Sequence, residues 1–309
     1  MTLEELNEAV STGFIDTIIR VDEARQVKQL SHIADSITTN PDIEIVLIAG
    51  GSSSGKTTTA VRLETQLMVN GRRALHLSTD DYFVGNEKNP RDEEGNLDFE
   101  HIDCVDVPAL VSDLRTLQKG GSIRKRKFDF VEHRPIFLDE ELTLPQYGYV
   151  VIEGIHALNP RLTEGIDQLS KFSIYIDPKP NVDVFCGTYL TSRQARLIRR
   201  LVRDSRYRKI PPMETLRMWK SVCAGEDKWI IPFRWHADAI FNSYLTYEMC
   251  ALKPYVSGLL ERIYAENGAS DKTVNNLRGL MAAVKAVDDV KIPGDSIIRE
   301  TIGGSQLDY

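Results

Sequence analysis

The chain has 309 residues, of which 42% are hydrophobic and 27% charged, with a net charge of −7 at neutral pH. That composition supports one large α/β domain or two smaller ones, and the acidic balance supplies no global field for nucleic acid or an anionic membrane. The four cysteines, Cys104, Cys186, Cys223 and Cys250, lie far apart with no C-x-x-C pair, so neither a zinc site nor a disulfide framework is expected.

Residues 1 to about 40 read as helix. Leu3, Leu6 and Val10, then Val27, Leu30, Ile33 and Ile37, recur at three- and four-residue steps, and Asn40-Pro41 ends the run. The opening MTLEELNEAV is acidic and amphipathic, unlike a signal peptide, and no apolar run reaches transmembrane length. A cytoplasmic protein is expected.

Residues 43–59, IEIVLIAGGSSSGKTTT, begin with a mainly β-branched run suited to a strand buried on both faces. The run leads into Gly50-x-x-x-x-Gly55-Lys56-Thr57, which matches the P-loop template at every fixed position. Glycines let the backbone curl until successive N–H groups face one phosphate, and the next helix adds its positive end. Gly51, Ser52, Ser53, Ser54, Gly55, Lys56, Thr57 and Thr58 are therefore the expected nucleotide-binding residues. Lys56 would reach the β- and γ-phosphates, and the Thr57 hydroxyl would ligate Mg²⁺.

A second strand at residues 73–78 leads into Thr79-Asp80-Asp81-Tyr82-Phe83. In doubly wound sheets ligands bind at the carboxyl ends of strands, which places Asp80 beside the P-loop. From 85 to 148 the helix–strand alternation breaks down: a polar, turn-rich stretch, a short helix ended by paired glycines, then a hairpin. Its cluster Arg124 to Lys127 reads as a solvated strand face. A long insertion between core strands is where a substrate-specific element belongs. Residues 149–152 then form a buried strand ending in Glu153-Gly154, where P-loop enzymes place a Mg²⁺-associated carboxylate.

A strand at 172–176 precedes RLIRRLVRDSRYRK. Its arginines, Arg196, Arg199, Arg200, Arg203, Arg206 and Arg208, exceed what Asp204 could neutralise, which suggests a lid for phosphates. A helix over 211–225, a short last strand at 237–242, and helices over about 246–266 (bent near Pro254) and 272–288 complete the chain, followed by a glycine-bearing tail.

Together these motifs resemble the uridine–cytidine kinase branch of the phosphoribulokinase/uridine kinase family, over residues 43–242. GGSSSGKTT resembles its P-loop, LSTDDYF its second-strand motif, DFEHIDCVD and FDFVEHR its acceptor-binding segments, VIEGI its metal-associated strand end, and RLIRRLVRD with Arg208 its arginine lid. The tail resembles that of a longer bacterial subgroup of uridine kinase-like proteins. The resemblance implies a P-loop α/β fold, a doubly wound, mainly parallel sheet with helices on both faces. It is flanked by helical extensions at 1–41 and 243–309, with the substrate insertion at 85–148 and the lid at 196–210.

It further implies ATP-dependent phosphorylation of the uridine or cytidine 5′-hydroxyl. Asp80 would be the base, with Lys56, Arg200 and Arg203 as catalytic partners and Mg²⁺ on Thr57 and Glu153. Asp80, Phe83, Glu100, Phe128, Phe130, His133, Arg200 and Arg208 would meet the acceptor. Phe128 stands where the family usually has tyrosine, and Glu100 where aspartate is commoner. Expected partners are ATP and a small nucleoside, with no nucleic acid or membrane, and a homo-oligomer stays open. A kinase of the same fold acting on another polyol or vitamin, or a non-catalytic NTP-binding regulatory module, are the alternative readings.

Overall fold

The computed structural model describes residues 1–91, 95, 97–129, 132–164, 166 and 170–308. Phe130 lies outside the described residues. The chain opens with α1 (Leu3–Thr12), α2 (Ile15–Thr39), β1 (Ile45–Gly50), α3 (Lys56–Val69) and β2 (Ala74–Ser78). Then come α4 (Val107–Gln118), the hairpin β3 (Ser122–Asp129) and β4 (Arg134–Thr143), β5 (Tyr149–Glu153) and β6 (Lys171–Ile176). A small hairpin, β7 (Asp183–Phe185) and β8 (Thr188–Tyr189), precedes α5 (Ser192–Arg203), α6 (Pro212–Trp229) and β9 (Ala239–Phe241). The chain closes with α7 (Glu248–Asn267), α8 (Lys272–Ala283) and a single turn, α9 (Arg299–Ile302).

Five strands form one parallel sheet in the order β2-β5-β1-β6-β9. Parallel neighbours need crossovers, and the helices supply them on both faces. β1, the central strand, is buried along its whole length. Its side chains alternate between two cores: Val46 and Ile48 pack with α2, α3, α5 and α7, while Ile45, Leu47 and Ala49 pack towards α4 and the β3–β4 hairpin. All five strands point the same way, so the P-loop, the turn after β2 and Glu153 gather at one edge of the sheet.

The N-terminal helical stretch is split. Gly13 takes the left-handed conformation (φ +80) and ends α1, whose start is held by a capping box between Thr2 and Glu5. Both chain ends join the core that covers α3. Asp22 of α2 accepts from the Thr246 backbone N–H and hydroxyl, and Tyr247 donates to Glu23 at 2.7 Å. Arg62 of α3 donates to Gln26 at 2.8 Å.

The expected helix over 272–288 stops at Ala283. Lys253 Nζ donates to the carbonyls of Ala282 and Val284, so the chain can leave the helix with those acceptors satisfied. Beyond it the tail is ordered by burial: Ile292, Ile297, Ile298 and Ile302 are all nearly inaccessible. Arg299 pins it by donating to the carbonyls of Asp289, Ile292, Pro293 and Gly303. Exposing each buried isoleucine costs roughly 1.5–3 kcal/mol. Truncation after Asp288 should therefore lower the melting temperature by on the order of 10 °C. An unchanged melting temperature would contradict this packing role.

Candidate active site

The P-loop is shaped by contacts on its outer side. Arg196 donates to the Ser52 carbonyl at 3.2 Å, and Arg199 to those of Ser53 and Ser54 at 3.4 and 3.2 Å. Ser243 adds a bond to the Ser54 carbonyl at 2.6 Å. Across a planar trans peptide the N–H points opposite to the C=O. Turning these carbonyls outward turns the amides of Ser53 and Gly55 inward, towards an anion site, while the Ser54 amide donates to the Gly51 carbonyl at 3.1 Å. Gly51 has no room for a side chain, because an added Cβ would fall 2.0 Å from Arg196 Nη1. Gly55 needs its freedom at φ +90 to enter α3. Lys56 Nζ rests 3.4 Å from the Gly51 carbonyl.

Two buried ion pairs carry this arrangement. Arg196 meets Glu226 of α6 and Arg199 meets Glu248 of α7, each at 2.6 Å and each nearly inaccessible. Of the six arginines expected to make up the phosphate lid, Arg196 and Arg199 are consumed inside the protein. Burial leaves a charge nowhere to go but to a partner. Arg200, Arg203 and Arg208 instead share the buried Asp204 carboxylate, at 3.2, 2.7 and 3.8 Å. Three guanidinia on one carboxylate leave net positive charge beside the loop, and Arg200 Nη1 also donates to Ser52 Oγ at 2.8 Å. Arg206 stacks over Tyr255.

On the facing side, Glu153 is buried at the end of β5. It accepts from Ser78 Oγ at 2.9 Å and from Thr57 Oγ1 at 3.4 Å. Burial raises its pKa; Lys56 opposes that rise and Asp80 adds to it. Gly154 follows because an added Cβ would lie 1.7 Å from Thr79 Oγ1. Thr57 and Glu153 thus present two hard oxygen donors side by side at the start of α3, a set that suits Mg²⁺.

The adjacent aspartates have separate surroundings. Asp80 faces Lys56, Arg208 and Arg203, which counter the upward push that burial gives its pKa. Asp81 accepts from the Phe128 backbone N–H at 3.4 Å and so ties the turn to β3. Phe83 and Phe128 meet edge to face, with ring centroids 5.6 Å apart. Phe83 and His133 line one cleft of about 510 Å³ together with Arg126. His133 sits at the hairpin turn in the left-handed region (φ +51). The cluster at 124–127 is mostly occupied by its own surroundings: Arg124 donates to the Leu138 carbonyl, Lys125 pairs with Glu140 and Arg126 with Asp113.

Glu100 presses on Gly225 of α6, where an added Cβ would fall 2.2 Å from Glu100 Cβ. Its Oε2 is closed off from solvent with no hydrogen-bond partner among the described residues. Burial lifts its pKa to about 7, against the pull of Arg200 and Lys56. Asp80, Glu100 and Glu153 therefore each have Lys56 as an electrostatic neighbour, and Arg200, Arg203 and Arg208 flank Glu100 and Asp80. Sequence reasoning missed Glu226, Glu248, Ser243 and the tail residue Glu300. The surplus of arginines in α5 signals that buried counter-ions exist, but nothing local says which carboxylates they are.

The Glu100 shift fixes a pH dependence. Its folded pKa, about 7, exceeds the ordinary 4.5, so folding takes up a proton between those values and stability falls as pH rises through that window. Glu100→Gln imitates the protonated form. Its melting temperature relative to wild type should rise by about 2–4 °C between pH 5 and pH 8. Parallel curves for the two proteins would contradict the shift.

Among the described residues, no helix is long and apolar enough to cross a membrane. A profile of the Phosphoribulokinase / Uridine kinase family matches residues 45–249. A uridine kinase of Lactobacillus helveticus is 29% identical over 164 residues, 53% of this chain and 69% of its own length. A uridine kinase of Staphylococcus aureus is 26% identical over 197 residues, 63% of this chain and 86% of its own length. With the P-loop, the parallel sheet and the arginine helix in place, this chain belongs to the phosphoribulokinase/uridine kinase family of phosphotransferases.

Proposed function

We propose that the protein is an ATP-dependent kinase that phosphorylates the 5′-hydroxyl of uridine or cytidine, in the cytoplasm, as a salvage step for pyrimidine nucleosides. The observation that carries this reading is the grouping of Asp80 and Glu100 with Lys56 and three lid arginines, close to a cleft that Phe83 and His133 line. A neutral acceptor accords with carboxylates on the acceptor side. An anionic one would need spare cations there, and the hairpin cluster is largely paired within the protein.

Phosphoryl transfer needs positioning and charge neutralisation more than covalent help. In the proposed reaction Asp80 takes the 5′-hydroxyl proton as the acceptor oxygen bonds to the γ-phosphorus and the bond to the β-phosphate oxygen breaks. Lys56 and the inward amides of the P-loop hold the phosphates. Arg200, Arg203 and Arg208 meet the charge that spreads over the transferring group. Mg²⁺, held through Thr57 and Glu153, would add neutralising charge at the β- and γ-phosphates. Glu100 would hold ribose hydroxyls, and Phe83, Phe128 and His133, with Phe130, would read the base. The insertion at 85–148 would be the acceptor reader and residues 196–210 the lid.

Asp80→Asn keeps the shape and loses the base. Steady-state assays with uridine should give about 10²–10⁴-fold lower kcat with nucleotide affinity little changed. Asp81→Asn should cost less, since Asp81 bonds a hairpin amide. The reverse order of effects would assign the base to Asp81.

His133→Ala tests base reading. An imidazole can donate to uracil O4 or accept from cytosine N4 by changing tautomer or ring orientation. Its loss should raise KM for both nucleosides about 5- to 100-fold and leave ATP affinity alone. Equal kinetics on every active nucleoside would remove the pyrimidine assignment's specific support.

A further inference from the structure

The lid does not continue as α-helix. α5 stops at Arg203, and Asp204–Arg208 make one π-helical turn. Lys209 closes it in the left-handed region (φ +56), and the Ile210 N–H donates to the Asp204 carbonyl at 3.1 Å. Residues five apart in an α-helix stand about 140° from one another round the axis. A π-turn bonds residues five apart and so draws them towards one face. Arg203 and Arg208 have that spacing: both reach Asp204, at 2.7 and 3.8 Å, and both face Asp80. Such turns are rare, so this one needs support from outside the helix.

Two residues of the turn, Arg206 and Tyr207, dock on other elements. The Arg206 guanidinium lies over the Tyr255 ring of α7, 4.8 Å from its centroid. Tyr255 in turn donates to the Asp289 carboxylate, where the tail begins. Tyr207 rests on Gly303 of the tail: a Cβ added there would fall 2.3 Å from Tyr207 Oη and 3.7 Å from its Cζ. Gly303 is itself held, because its N–H donates to the Arg299 carbonyl at 2.8 Å and its carbonyl accepts from Arg299 Nη1 at 3.2 Å. Arg206 and Tyr207 both stay exposed, so neither is there to fill a core. Their contacts set direction.

We propose that Arg206 and Tyr207 are positioning residues for phosphoryl transfer: docked on Tyr255 and Gly303, they hold the π-turn that brings Arg208 beside Arg203 and Asp80. This rests on the kinase reading above. Without the docking the turn can relax to α-helical geometry, which swings Arg208 away from the face that Arg203 presents to Asp80. A misplacement of about 1 Å can cost on the order of 100-fold in rate. The P-loop is shaped by Arg196 and Arg199 instead, so nucleotide binding should survive the change. The tail then has a second task beside burying its isoleucines: it aims the end of the lid.

Amide hydrogen exchange across residues 204–210, together with steady-state kinetics on uridine, tests this in the full chain. Gly303→Ala, which displaces Tyr207, should speed exchange across the turn about 5- to 30-fold. It should lower kcat about 10- to 100-fold with the KM for ATP close to wild type. Adding Tyr207→Phe removes the clashing Oη and leaves Cζ at 3.7 Å, an ordinary contact, so the double variant should regain both. Backbone strain at φ +88 would not be relieved by that second change. Tyr255→Leu should act like Gly303→Ala, whereas Tyr255→Phe, which keeps the ring under Arg206, should stay near wild type. Unchanged exchange in both Gly303→Ala and Tyr255→Leu would overturn the proposal. So would faster exchange at unchanged kcat, or a loss that Tyr207→Phe does not restore. Wild type that phosphorylates no acceptor would overturn the kinase reading itself, and the exchange data would still decide whether the tail holds the turn.

Discussion

The site depends on two buried guanidinium–carboxylate pairs. Arg196 with Glu226 and Arg199 with Glu248 fix two arginines whose remaining N–H groups hold the P-loop carbonyls outward. Without that outer grip the loop would have no reason to present its amides inward, and its glycines would let it relax elsewhere. Breaking a buried pair by removing one partner leaves a charge without solvent or counter-ion, at about 3–5 kcal/mol. The same pairs bind α5, α6 and α7 to the loop, so the shape of the anion cradle is set partly by α6 and α7, which supply the counter-ions Glu226 and Glu248.

Charge is then distributed with a polarity. On the core side of α5, Arg196 and Arg199 each pair with a buried carboxylate, and Glu226 also meets Arg193. Towards the cleft, Arg200, Arg203 and Arg208 share the ion-pairing carboxylate of Asp204. The surplus positive charge thus falls where Asp80, Glu100 and Glu153 would otherwise repel an approaching phosphate. Burial holds the pKa values of these carboxylates up, while Lys56 draws each of them back.

Much of this was legible in the chain. The P-loop, its strand and its helix follow from residues 43–59, and the carboxyl-end position of Asp80 and Glu153 follows from strands that end at 78 and 153. The separation of Asp80 from Asp81 was only partly legible, because it depends on the Phe128 amide 47 residues away. The partners of Arg196 and Arg199 were illegible: Glu226 and Glu248 lie 30 and 49 residues downstream, on helices whose facing sides are set by tertiary packing. The tail was hidden for the same reason. Its isoleucines carry no helical period, and only the fold brings Glu300 back to Thr58, 242 residues earlier. The early stop of α8 likewise turns on Lys253, a side chain of another helix.

The central claim concerns what crosses from donor to acceptor. Incubation of the full chain with Mg-ATP and a panel of pyrimidine nucleosides, purine nucleosides, pantothenate and sugar phosphates, followed by mass detection of products, addresses it directly. The account predicts UMP from uridine or CMP from cytidine, phosphorylated at the 5′ position, with one ADP formed per product and little turnover of purines. Phosphorylation of an anionic acceptor in preference to both pyrimidine nucleosides, or ATP consumption indifferent to every acceptor, would contradict it.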